Sequence, residues 1–232
     1  MSIMKYWVKR PVRFANRPSI LYYSGTMIIT YHGAQCFKVS FADTTLVFDP
    51  ISKKSKLTPA RFGADVAFVS LNHPDFNGAD EMAYGAKQPF VIDGPGEYEV
   101  GDVTARGYGV ETVYEGVSRY NTIYQVTLEG INIVFLGALG SDAIDSKILG
   151  ELDDIDILFV PIGGGDVLDV PQATKLATKF EAKCIIPMHY TDTALKAFFK
   201  EEGIDPIKPI EKLTIKKKDL AEMEGEIVVL ES

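Results

Sequence analysis

The order of strand and helix segments constrains the fold of this chain more than any other feature. Segments rich in β-branched and aromatic residues, which favour strands, occupy residues 26–50, 64–72, 89–116 and 121–137. After them the pattern alternates: helices are predicted over 142–152, 169–182 and 193–203, and strands over 155–165, 183–190 and 225–232. Strands first, then helices alternating with strands, indicate an α/β protein whose sheets lie under helices.

The loops that follow these strands hold most of the residues that could form a site. Five such residues each stand at the end of a predicted strand: Asp49, His73, Gly137, Gly163 and His189. Because functional loops commonly gather at strand ends, we expect these loops to converge at one edge. Asp49 itself is predicted to support the loop above it rather than to take part in chemistry.

A basic and aromatic segment precedes the predicted domain. Residues 1–42 contain no Asp or Glu, although the whole chain has a formal net charge of −8. We therefore predict an N-terminal arm over residues 1–26 and a single domain over residues 27–232. The aromatic content of the arm predicts that it packs on the domain or on a neighbouring subunit. Nucleic acid is a less favoured partner, since the arm contains no recognised RNA-binding motif.

The sequence is typical of a cytoplasmic protein. No apolar run reaches the roughly 18–20 residues of a membrane span, and no apolar region follows the basic N-terminus as a signal peptide requires. The only two cysteines, Cys36 and Cys184, lie inside strand-like segments without a C-x-x-C partner. We interpret both as buried apolar residues in a reducing compartment.

The segment SLNHPDFNG, residues 70–78, raises the question of a metal site. It places His73 and Asp75 at the end of an apolar run, where metal-binding loops often begin. Imidazole and carboxylate groups are common ligands of zinc in proteins. Leu71 and Phe76, in contrast, offer no lone pair to a metal ion.

Six segments, taken in order, resemble the metallo-β-lactamase superfamily, in particular the branch that includes ascorbate-6-phosphate lactonase. They are MIITYHGAQCFKVSFADTTLVFDPI, ADVAFVSLNHPDFNG, PFVIDGPGEYEV, NTIYQVTLEGINIVFLG, LFVPIGGGDVLDVPQA and IIPMHY. The resemblance implies an αββα sandwich, in which two mixed β-sheets pack face to face with helices outside. It also implies a site at one edge of the sheets, where one or two metal ions activate a water molecule for hydrolysis.

The resemblance further identifies the positions that would hold the metal. His73, Asp75 and His189 match ligand positions of the family. The remaining ligand positions carry other residues: Leu71, Phe76, Thr112 and Ala138. Thr112 is assigned to its position by spacing. The whole chain contains only three histidines, which is fewer than the two-metal set of the family uses.

These residues lead to one preferred function and two alternatives. The preferred function is a metallo-β-lactamase-fold protein that has lost most metal ligands and acts as a non-catalytic binding or assembly protein. Its partner would be an unidentified small molecule or protein, and no cofactor is expected. The first alternative is a metal-dependent hydrolase of a lactone, ester or phosphodiester, with Zn or Mn held by His73, Asp75 and His189. The second is a nucleic-acid-associated protein that uses the basic arm. A homo-oligomer is left open, and no membrane partner is expected.

Overall fold

The structure is a computed structural model that describes residues 25–232, so the predicted arm lies outside the described residues except for Gly25 and Thr26. The described residues form these strands: β1 (Met27–Tyr31), β2 (Phe37–Phe41), β3 (Thr44–Phe48), β4 (Val66–Phe68), β5 (Phe90–Ile92), β6 (Gly96–Val100), β7 (Val103–Tyr114), β8 (Val117–Leu128), β9 (Ile131–Phe135), β10 (Ile157–Pro161), β11 (Cys184–Met188), β12 (Leu213–Ile215) and β13 (Glu226–Ile227). They also form these helices: α1 (Ser146–Glu151), α2 (Val170–Phe180), α3 (Asp192–Glu201), α4 (Lys217–Leu220) and a 3₁₀ helix (Ala79–Met82).

The strands form two mixed sheets. The first sheet has the order β12-β1-β2-β3-β4-β5, and the second has the order β13-β11-β10-β9-β8-β7-β6. In the first sheet β12, β1, β2 and β3 pair antiparallel, whereas β3, β4 and β5 pair parallel. In the second sheet β6 to β9 pair antiparallel, and the remaining strands pair parallel.

The inner faces of the two sheets pack against each other through aromatic residues. Phe37 of β2 lies 4.5 Å from Phe159 of β10 between ring centroids, and Phe48 of β3 lies 4.9 Å from Phe135 of β9. Alternate residues of β2 are buried, as a strand with one face on the core requires. The predicted sandwich of two mixed sheets is therefore confirmed.

Helices cover the outer face of the second sheet. Buried apolar residues of α2 and α3, such as Leu176 and Phe198, share one cluster with Val160 of β10. Helix α2 begins as predicted, because Asp169 accepts a hydrogen bond from the backbone N–H of Gln172 in a capping box. The outer face of the first sheet packs against the 3₁₀ helix instead. No helix in the described part of the chain is long and apolar enough to cross a membrane.

Two terminal elements differ from the sequence prediction. The predicted C-terminal strand over residues 225–232 contains only the two residues of β13, which pair with the first two residues of β11. Pro187 lies later in β11, on the side that faces β13, and it has no N–H to donate to a further ladder bond. Strand β12, which was not predicted, extends the first sheet by pairing antiparallel with β1.

Candidate functional site

Asp49 anchors the loop that follows β4. It is fully buried. Its Oδ1 accepts a hydrogen bond of 2.6 Å from the backbone N–H of Ser70, and its Oδ2 accepts one of 2.6 Å from the hydroxyl of Ser70. Burial raises the pKa of Asp49 to about 8, while the bonds from Ser70 act in the opposite direction. Gly137 packs so closely on Ser70 that an added Cβ would lie 2.4 Å from the Ser70 Cβ. The predicted supporting role of Asp49 is confirmed.

His73 and Asp75 lie together in this loop, but both are engaged by neighbouring protein groups. His73 Nδ1 accepts the backbone N–H of Asp75 at 3.2 Å, and His73 Nε2 lies 3.1 Å from Glu115 Oε2. The carboxylate of Asp75 accepts hydrogen bonds from the hydroxyl of Ser55 and, at 3.4 Å, from that of Tyr114. Asp75 therefore ties the loop to two other segments.

His189 follows β11 in the left-handed backbone region, with a φ of 50°. Its Nδ1 lies 3.0 Å from the side-chain amide nitrogen of Gln35. Burial lowers the pKa of His189, which favours the neutral ring. Gly163 closes over the loop, since an added Cβ there would lie 2.1 Å from the His189 carbonyl oxygen. The ring is held as a neutral side chain between two loops.

An apolar cluster packs against both imidazoles. Its buried members come from four loops and strands: Leu71, Phe76, Tyr114, Ala138 and Val167. The ring centroid of Phe76 lies 6.0 Å from that of His73 and 6.0 Å from that of His189. We refer to these five residues as the apolar cluster.

Thr112 is tied to the same cluster. Its hydroxyl donates a hydrogen bond of 3.2 Å to the carbonyl oxygen of Ala138.

Within residues 25–232, no group of three or more His, Cys, Asp or Glu side chains is placed to hold a metal ion. The donor set of His73, Asp75 and His189 therefore does not fit a shared metal in this arrangement.

A cavity of about 340 Å³ borders the apolar cluster. The residues that line it include Glu111, Thr112, Ser118, Ser141 and Asp166. Thr112 belongs to both places, because it lines the cavity and bonds to Ala138 of the cluster. The cavity thus lies beside the positions at which the resemblance located metal ligands.

The sequence analysis predicted the converging loops but not the cavity. Loops after β3, β4, β9, β10 and β11 do meet at one edge, as predicted, through contacts such as Asp49 with Ser70 and Gly163 with His189. The wall residues Glu111 and Ser118 lie on adjacent strands of an exposed hairpin, and the sequence pattern does not indicate which of its faces turns towards the loops. Gln35, the partner of His189, is likewise a single polar residue without a motif.

Comparison with known proteins places these observations in a family. Residues 28–189 match the family model described as "Beta-lactamase superfamily domain". A metal-dependent hydrolase of Listeria innocua is 30% identical over 195 residues, which are 71% of this chain and 85% of that protein. A metal-dependent hydrolase of Salinibacter ruber is 25% identical over 217 residues, which are 77% of this chain and 95% of that protein.

Solved structures give the same result for the fold. A Thermotoga maritima protein of the metallo-beta-lactamase superfamily has a TM-score of 0.67 and 30% identity, over 88% of this chain and 98% of that chain. The metallo-beta-lactamase fold protein YhfI from Bacillus subtilis has a TM-score of 0.58 and 11% identity, over 90% of this chain and 97% of that chain. At that identity the second likeness concerns the fold alone.

Proposed function

This chain belongs to the metallo-β-lactamase superfamily, and from that premise we propose that it works as a binding protein without a resident metal ion. The observation that carries the proposal is the apolar cluster. Phe76 and Leu71 are buried at positions where the family has imidazole ligands, and neither side chain has a lone pair to offer. The cavity beside the cluster is the place where a ligand would bind.

The contacts of the remaining candidate ligands support this proposal. A metal site needs its ligands to converge and to be oriented by neighbouring groups. Here His73 lies against Glu115 and the backbone of Asp75, whereas His189 faces Gln35. The ring of Phe76 packs near both imidazoles. These hydrogen bonds fix the two imidazoles against neighbouring protein groups. A metal ion that bound both imidazoles would have to replace several of these bonds.

The competing function is a metal-dependent hydrolase with a mononuclear site at His73, Asp75 and His189. The observation in its favour is that the curated relatives bear the name of metal-dependent hydrolases. Three protein ligands and a water molecule do form open catalytic zinc sites in other proteins. In this chain such a site would have to form beside the ring of Phe76, which lies 6.0 Å from each histidine ring.

Metal content separates the two functions. Protein purified without chelator is analysed by elemental mass spectrometry, and we expect well under one equivalent of zinc, manganese or iron. His73→Ala and His189→Ala are compared with His32→Ala, a control whose ring bonds to Thr30 at 3.2 Å and packs against Phe62. Stoichiometric metal that is lost in the first two variants and kept in the control would establish the hydrolase site instead.

A further inference from the structure

We infer that the free edge of strand β7 binds an extended, basic polypeptide segment of a partner protein, which adds to the second sheet as a further strand. This inference rests on the proposed function, because it names the class of partner that the binding protein takes. Strand addition at an uncovered sheet edge is a recurring mode of peptide recognition. The free edge comprises residues 108–114, which lie beyond the last pairing of β7 with β6, that of Gly107 with Gly96.

The backbone of the free edge offers hydrogen-bonding groups to an incoming strand. Tyr114 and Val117 close the two-residue turn of the hairpin as a hydrogen-bonded pair, and such pairs alternate along an antiparallel ladder. The N–H and C=O groups of Gly109, Glu111 and Val113 therefore point away from β8. Within residues 25–232 no backbone group bonds to them from that side, and all three residues are exposed.

The other sheet edges in the described part of the chain carry protection that the free edge lacks. Strands β12 and β5 have three residues each, and β13 has two. Strand β6 carries the exposed charges of Glu97 and Glu99, and Glu97 lies 3.5 Å from Arg106. Short strands and charged side chains are usual means by which an edge avoids pairing with another chain. The free edge is longer and presents Val113, which is 56% exposed.

The charge beside the free edge selects the kind of strand that can bind there. Glu111 lies near the middle of the edge, and the adjoining cavity is also lined by Asp166. Among the described residues that line this cavity there is no Lys, Arg or His. Opposite charges on directly paired residues stabilise a sheet, whereas like charges destabilise it. A strand that places Lys or Arg opposite Glu111 is therefore favoured.

A second copy of the chain fits this edge less well than a basic partner does. Antiparallel pairing of the free edge with itself would bring Glu111 of one copy close to Glu111 of the other, which is unfavourable. The formal net charge of −8 adds repulsion between copies at longer range. A basic segment avoids both costs, and its added strand also covers part of the exposed Val113.

Three fluorescein-labelled peptides test the inference on the full chain by fluorescence anisotropy. The first, KVKVKVK, alternates lysine with valine, and the second, EVEVEVE, reverses the charge. The third is KVKVKVK with methyl groups on the backbone nitrogens of its lysines, which removes the donors of one edge. We expect the first peptide to bind at least ~10-fold more tightly than either control, because each control loses several favourable contacts. Equal binding of all three peptides would overturn the inference.

Hydrogen exchange measured by NMR locates the bound peptide. Saturating KVKVKVK should slow exchange of the amides of Gly109, Glu111 and Val113 by at least ~10-fold and leave those of β12 unchanged. Two results would contradict the inference. Amides that are already protected in the chain alone would show that this chain covers its own edge. A dimer, detected by light scattering, that dissociates on addition of the peptide would assign the edge to a second copy.

Charge reversal at a single residue distinguishes the free edge from its neighbour. Glu111→Lys should weaken binding of KVKVKVK at least ~3-fold and strengthen binding of EVEVEVE. Glu99→Lys is the matched control, because it reverses an exposed charge on β6, and it should change neither. A loss that occurs in Glu99→Lys and not in Glu111→Lys would place the peptide on β6 and refute the assignment to β7.

The metal content of the same preparation keeps the two proposals distinguishable. Metal-free protein that fails to bind KVKVKVK contradicts the inference about the partner and leaves the proposed function standing. Stoichiometric metal bound through His73 and His189 contradicts the proposed function whatever the peptides do.

Discussion

At the scale of one side chain, Phe76 shows how the strand-end loops of this molecule pack. Its ring is fully buried, packs edge-on against Tyr114 at 5.1 Å, and lies 6.0 Å from the rings of His73 and His189. A histidine at the same position would present a nitrogen lone pair to its neighbours, whereas phenylalanine presents only carbon. With phenylalanine at position 76, this part of the loops is packed as a core.

Replacement of Phe76 by alanine measures this contribution. Because the ring is fully buried, Phe76→Ala should lower the free energy of unfolding by about 3–5 kcal/mol, measured by chemical denaturation. Tyr84→Ala is the control, since that ring is 76% exposed and should change stability by less than about 0.5 kcal/mol. A loss below about 1 kcal/mol at Phe76 would mean that the ring is not part of a packed core.

Asp49 gives the stability of the protein a dependence on pH. The folded-state pKa of about 8 lies above the ordinary value of 3.8. At a pH between these two values, the folded state therefore keeps a proton on Asp49 that the unfolded state has released. Stability from this group is therefore complete below about pH 4 and is lost as the pH rises through 8.

Asp49→Asn removes this titration while keeping the shape of the side chain. Between pH 5 and pH 8 the wild type should lose up to about 1.4 kcal/mol of unfolding free energy per pH unit relative to this variant. Urea denaturation at a series of pH values measures the difference. Parallel pH profiles for the two proteins would show that Asp49 is already ionised in the folded state.

At the scale of elements, the hairpin of β7 and β8 carries the site towards solvent. Each strand has twelve residues, and a two-residue turn, Glu115–Gly116, joins them with φ values of 49° and 71°. Such a turn matches the twist of the strands and brings Thr112 and Tyr114 to the apolar cluster. The sequence analysis predicted strands over residues 89–116 and 121–137, but it did not join them into this hairpin.

Whether an element could be predicted from the sequence depends on how that element is stabilised. Helix α2 could be predicted because its start is encoded locally, by Asp169, Pro171 and Gln172. Strand β12 has only three residues, and its partner β1 lies almost the whole chain away, so no local pattern announces it. The candidate site has the same property, since Phe76 and His189 come together only through the packing of distant loops.

The start of α2 supplies a prediction for a whole element. Asp169→Ala removes the hydrogen bond of 2.9 Å to the N–H of Gln172 and should lower the free energy of unfolding by about 1 kcal/mol. Asp153→Ala, at an exposed loop position, is the matched loss of a carboxylate and should have almost no effect. Equal effects of the two changes, measured by denaturation, would exclude a capping contribution from Asp169.

At the scale of the whole molecule, the two sheets share one core. Two buried thiols lie in different layers of the structure and can be used to follow its unfolding. Cys184 belongs to the cluster between the sheets, whereas Cys36 belongs to the cluster on the outer face of the first sheet. Burial raises the pKa of both thiols to about 12, so neither forms the reactive thiolate in the folded protein.

Reaction with Ellman's reagent tests whether the layers unfold together. Neither thiol should react in the native protein, and two thiols per chain should react in denaturant. If the sandwich is one cooperative unit, Cys36→Ser and Cys184→Ser variants should each expose the remaining thiol in step with the loss of that variant's own circular dichroism signal. A thiol that reacts well before that loss would reveal a layer that opens independently.

Pro187 has a consequence for how the ladder of β11 can end inside the protein. Every residue of β11 is buried, and after β13 the chain still bonds to it, since the N–H of Val228 donates to the carbonyl oxygen of Ile185. A buried N–H without a partner would cost free energy. Because proline has no N–H, the row of ladder bonds stops at Pro187 without leaving such a donor unsatisfied.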